Sequence, residues 1–178
     1  MRFSPFFALF LALALCACTS RTQEVLPLSR SIIGASQVTD IELVTQPSAR
    51  GSIAAMDERA SRSDAGGYAR APFAQLLPDL IREATTKLGL TSGRQLKLLL
   101  EIDDFQTANA GAAMFGKQDR LAGTVFVRDA ATGEALGQLY VDVNARSSGL
   151  MGLATRGGVR ERIAEAFAAR VARALAGR

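Results

Sequence analysis

The chain has 178 residues, 48% of them hydrophobic and 21% charged, with a formal net charge of +4. That balance belongs to a globular protein rather than a disordered one, and the length remaining after a removable leader suits one domain. There is no histidine, and Cys16 and Cys18 are the only cysteines. Past residue 18 the chain therefore offers no thiolate nucleophile, disulfide, thiolate metal site or imidazole base.

Residues 1–18 read MRFSPFFALFLALALCAC. Arg2 precedes an apolar run over 6–15, which is too short to span a bilayer and fits the hydrophobic region of a signal peptide. Residues 19–36, TSRTQEVLPLSRSIIGAS, are polar, carry Pro27 and Gly34 and show no sustained period. They are expected to form a tether, docked through Ile32 and Ile33.

Residues 37–44, QVTDIELV, predict a strand from their β-branched content. Residues 46–70 are rich in Ser, Arg, Asp and Gly and are expected to form a loop, with a helical turn at 53–59. Residues 71–90 predict the first helix, because Phe73, Leu76, Leu77, Leu80, Ile81, Ala84 and Leu88 lie on one stripe. Gly89 would close it. Pro78 predicts a kink or a late start, since it removes a backbone bond.

Residues 94–105, RQLKLLLEIDDF, alternate Leu96, Leu98, Leu100 and Ile102 with polar residues, the pattern of a strand with one buried face. Strands at 122–129 and 136–143 flank the turn DAATGE, in which Asp129 opens the turn and Gly133 can take positive φ. Residues 159–175 predict the last helix, with Val159, Ile163, Phe167, Val171 and Leu175 at i+4 spacing. The expected fold is α+β, in the order β-α-β-β-β-α: a small, mostly antiparallel sheet with two helices packed on one face.

Leu15-Cys16-Ala17-Cys18 resembles the bacterial lipobox: an aliphatic residue at −3, a small one at −1 and then the acylated cysteine. The resemblance implies lipidation at Cys18 with diacylglycerol, and a third acyl chain in many Gram-negative bacteria. One chain anchors only marginally, whereas two or three hold stably. Thr19 at the next position implies the periplasmic leaflet of the outer membrane rather than the inner membrane. The expected organisation is a lipoprotein signal peptide over 1–17, the lipidated cysteine and tether over 18–36, and a single α+β domain over 37–178.

GTVFVRDAATGE at 123–134, a Gly-rich stretch at 149–158 and the Ala/Arg-rich last helix together resemble a family of uncharacterised bacterial lipoproteins with a domain of unknown function. The element order is also similar to that of envelope accessory lipoproteins, among them the lipopolysaccharide-assembly lipoprotein that plugs an outer-membrane barrel. The resemblance implies a non-catalytic accessory module and carries over no catalytic or ligand residue.

The polar residues support the same expectation. Asp103, Asp104, Asp129, Glu134 and Asp142 are explained as strand ends and turn formers, and adjacent aspartates in an alternating strand are expected on opposite faces. No G-x-S-x-G, S-x-x-K or nucleotide-binding glycine pattern is present, so neither catalysis nor a cofactor is expected. The cations are dispersed among Asp and Glu, which argues against nucleic acid as a partner. Two Gly-bounded apolar loops, 109–120 and 145–158, remain. Met114, Phe115, Leu150, Met151 and Leu153 on them are the candidate contacts for an envelope protein, or else they cap the core. A lipid-binding domain and a small envelope hydrolase are the alternatives.

Overall fold

The structure, a computed structural model, describes residues 21–62, 71–107, 118–145 and 158–178. Its elements are β1 (Arg21–Leu26), β2 (Ser36–Thr45), α1 (Pro47–Ser61), α2 (Phe73–Lys87), β3 (Arg94–Gln106), β4 (Asp119–Asp129), β5 (Ala135–Ala145) and α3 (Val159–Leu175). The fold is α+β, and the five strands form one sheet in the order β1-β5-β4-β3-β2. Every pairing is antiparallel except β2 with β3. A parallel neighbour requires a crossover, which α1 and α2 supply.

The inner face follows the period-2 pattern. Leu96, Leu98, Leu100 and Ile102 of β3 are fully buried, as are Val125 and Val127 of β4 and Leu139 and Val141 of β5. Above them lie Phe73, Leu76, Leu77 and Ile81 of α2 and Ile163, Phe167, Val171 and Leu175 of α3. Phe73 meets Phe105 edge to face, with ring centroids 5.4 Å apart. The opposite face presents Lys97, Leu99, Glu101, Thr124, Phe126 and Tyr140, all half-buried.

Two elements differ from expectation. The segment read as a tether forms β1 and then a turn that buries Leu28 and Ile32. β1 lacks an apolar period because it is an edge strand whose residues are mostly exposed; backbone pairing to β5 holds it. The segment read as a loop forms α1, so among the described residues three helices rather than two contribute to the core, in the order β-β-α-α-β-β-β-α. α1 buries only Ala49 and Ile53 in its 15 residues, too few for a continuous apolar stripe, and Gly51 lowers its propensity further.

The helix ends follow local chemistry. α2 begins at Phe73 and runs through the buried Pro78, so its start is not late. It closes with the N–H of Gly89 on the Thr86 carbonyl (2.9 Å) and that of Leu90 on the Thr85 carbonyl (3.0 Å), around Gly89 at φ +80°. α3 ends the same way: Gly177 bonds to Ala174 at 3.0 Å and Arg178 to Arg173 at 2.9 Å.

Candidate functional site

Cys18, Met114, Phe115, Leu150, Met151 and Leu153 lie outside the described residues. The strands place their points of attachment. Arg21, three residues past Cys18, pairs with Asp142. Loop 109–120 leaves from the end of β3 and returns into β4, where Gln106 pairs with Arg120. Loop 145–158 leaves from Ala145, which pairs with Asp119. The chain therefore enters β1 at the same end of the sheet from which both apolar loops emerge.

That end carries a polar cluster. Arg120 donates from Nε to Asp142 Oδ1 (3.0 Å), from Nη2 to Asp142 Oδ2 (2.9 Å) and from Nη1 to Asp104 Oδ2 (3.1 Å). Asn144 donates to Asp142 at 3.1 Å, and Gln106 to Asp104 at 3.0 and 3.1 Å. The Asp142 carboxylate raises the Arg120 guanidinium further above its ordinary value. A bidentate Arg–carboxylate pair fixes geometry as well as charge.

The two adjacent aspartates correct an expectation. The register of β3 slips between Ile102 and Asp104, leaving Asp103 as an extra residue. Asp103 is hydrogen-bonded to Thr124, whose neighbour Val125 is buried on the inner face. Asp103 and Asp104 thus share the outer face, because a bulge interrupts the alternation that would separate them. Partial burial pushes the Asp103 carboxyl up; the Thr124 hydrogen bond opposes this and the Asp104 charge adds to it. Opposite the bulge, Gly123 has no room for a side chain: a Cβ there would lie 2.6 Å from the Glu101 carbonyl oxygen.

At the other end of the sheet, the DAATGE residues perform turn chemistry. Asp129 Oδ1 accepts the N–H groups of Ala131 and Thr132, both at 2.8 Å. Its Oδ2 accepts Arg94 Nε at 2.6 Å, and Arg94 Nη2 reaches Glu134 at 2.8 Å. Arg94 first, and then the Thr132 N–H, hold the Asp129 carboxyl far below the usual carboxylate range. Gly133 takes φ +74°.

A third cluster joins the helices. Arg160, 1% exposed, bonds through Nη1 to Asp57 Oδ1 (2.5 Å) and through Nη2 to Glu161 Oε1 (2.7 Å). The Asp57 carboxylate also accepts the Phe73 N–H at 3.0 and 3.1 Å, capping α2 from a neighbouring helix. Asp57 and Arg160 are 103 residues apart, and no local pattern announces the pair.

Two surface clefts among the described residues lie near these elements. One, of about 270 Å³, is lined by Ser52, Met56, Arg59, Gln106, Thr107 and Gln118, beside the root of loop 109–120. The other, of about 400 Å³, lies between β1 and the end of α3 and includes Thr22, Glu24, Arg170, Arg173 and Arg178. None of Asp103, Asp104, Asp129, Glu134 and Asp142 lines either cleft. Among the described residues, no group of three or more His, Cys, Asp or Glu could hold a metal ion. No helix among them is long and apolar enough to cross a membrane.

No protein-family model matches the chain, and no curated protein sequence does. Solved structures do resemble it. Protein XCC0632 from Xanthomonas campestris, of family DUF330, is 12% identical, with 87% of this chain and 94% of that one covered and a TM-score of 0.52. The PelC dodecamer from Paraburkholderia phytofirmans is 12% identical over 90% and 99% of the chains, at a TM-score of 0.47. A protein from Caulobacter crescentus CB15, named as a predicted lipoprotein, is 18% identical over 77% and 88%, at 0.41. The likeness to the Xanthomonas protein is one of fold.

Proposed function

We propose that this chain is a lipid-anchored lipoprotein of the bacterial cell envelope, acting as a non-catalytic binding or accessory module. One observation carries the reading: only two residues, Thr19 and Ser20, separate Cys18 from Arg21, the first residue of a hydrogen-bonded strand. Three residue steps span at most about 10 Å. Acylation at Cys18 would therefore hold the sheet itself at the bilayer, in place of a domain on a long leash. The leader over 1–17, the small residue at Ala17 and the cysteine that follows supply the processing signal. Thr19 favours the periplasmic face of the outer membrane.

The partner surface in this reading is loops 109–120 and 145–158, with Met114, Phe115, Leu150, Met151 and Leu153. Their roots lie at the end of the sheet where the anchor enters, so a partner gripping them would itself be a membrane-associated envelope protein. The test is co-purification from gently solubilised membranes, with Cys18→Ser and Met114→Asp versions alongside. A stoichiometric partner that is lost in both, while Met114→Asp still reaches the membrane and folds, is the expected result. An intact protein that reaches the membrane and comes down alone would remove the accessory role.

A further inference from the structure

The cleft between β1 and α3 gathers cations beside the anchor. Arg170 and Arg173 lie one turn apart on α3, where residues at i,i+3 are neighbours. The closing turn at Gly177 brings Arg178 back, its N–H bonded to the Arg173 carbonyl at 2.9 Å. Arg173 Nε rests on the Ala169 carbonyl at 3.2 Å, which leaves the rest of its guanidinium at the surface. None of these three arginines forms a salt bridge among the described residues, and Glu24 is the single acidic side chain lining the cleft. The Thr22 hydroxyl, buried at the same edge, has no hydrogen-bond partner there.

Thr22 lies four residues past Cys18, a reach of at most about 14 Å. The polar zone of each leaflet is roughly 5–8 Å deep, and an Arg side chain bridges what remains. We infer that this cleft docks on the phosphate groups of the leaflet that holds the Cys18 acyl chains, laying the domain on its β1 edge. The inference rests on the lipid-anchor reading. Charge decides between this pose and one standing on the sheet end. Among the described residues of that end, Asp103, Asp104 and Asp142 offset Arg120, Arg21 and Arg59, so it offers a phosphate surface no net positive charge. The β1 edge offers three arginines against one glutamate.

The test uses the full chain, acylated at Cys18 and reconstituted into vesicles of phosphatidylcholine with or without phosphatidylglycerol. The processed chain has no other cysteine, so Gln23→Cys on β1 and Thr107→Cys at the sheet end each accept one fluorophore. A headgroup spin label serves as quencher. Quenching at position 23 that requires phosphatidylglycerol and exceeds that at 107 is the expected result. Each arginine shifts the docked-to-free ratio about fivefold, so replacing Arg170, Arg173 and Arg178 together with Gln lowers it on the order of 100-fold. High salt does the same to the unaltered protein, which keeps the test independent of variant folding. Equal quenching in both vesicle types, persistence in high salt, or stronger quenching at 107 overturns the pose while leaving the anchor intact. Protein that does not travel with vesicles of either composition overturns the anchor and the pose with it.

Discussion

Replacing Asp57 with Ala removes two things at once: a carboxylate paired with the buried Arg160 and the acceptor that caps α2. Stripping a partner from a buried charge costs about 3–5 kcal/mol, and losing a helix cap costs about 1 kcal/mol. Two features reduce that sum. Glu161 keeps its 2.7 Å contact with Arg160, and Asp57 is itself 27% exposed. The net expectation is a loss of about 3 kcal/mol, equivalent to roughly 6–12 °C in Tm for a domain of this size. Urea unfolding followed by circular dichroism measures it. Asp57→Asn should cost less, because its amide oxygen can still accept the Phe73 N–H. The double variant Asp57→Ala/Arg160→Met should recover at least about 1 kcal/mol relative to the sum of the single changes, since no unpaired buried charge remains. A loss below about 0.5 kcal/mol for Asp57→Ala, the range of an ordinary surface change, would refute the claim that this cluster clamps the three helices.

The other predictions concern the bulge and the turn. Phe105→Ala should cost about 3–5 kcal/mol and Gln106→Ala less than about 0.5, measured in the same urea series, because the bulge puts Phe105 in the core and Gln106 outside. Asp103→Asn should raise Tm at pH 7, because burial penalises the ionised carboxylate. Its folded pKa is raised, so the advantage of the variant should shrink as pH falls through that value and the native carboxyl takes up its proton. Asp129→Asn should lower Tm at pH 7. The folded pKa of Asp129 is depressed, so its contribution is complete above the unfolded value near about 4 and is lost as pH falls below it. A thermal-melt series across pH should therefore show the Asp129→Asn deficit closing in acid.

Periodicity exposed the parts of the fold that bury continuous apolar stripes. β3, β4, β5, α2 and α3 are legible because each commits three or more apolar side chains to one face. α1 was not, since two buried contacts in a 15-residue helix leave no stripe, and β1 was not, since an edge strand needs only backbone partners. The bulge left a readable trace: apolar positions advance by two from Leu96 to Ile102 and then by three to Phe105. That step of three places Asp103 and Asp104 on one face. The turn role of Asp129, Gly133 and Glu134 was visible from residue type alone. Asp57 with Arg160, and the three arginines beside β1, depend on tertiary contact or on a helix-closing turn and have no signature in a short window.

The central claim is that the domain is held at a membrane through Cys18, and the intact mass of the protein extracted from membranes tests it most directly. The account predicts a chain that begins at Cys18, carries a diacylglyceryl group on the thiol and loses both processing and membrane association in the Cys18→Ser version. A chain cut elsewhere, or one that begins at Cys18 with a free thiol and fractionates with soluble protein, would contradict it.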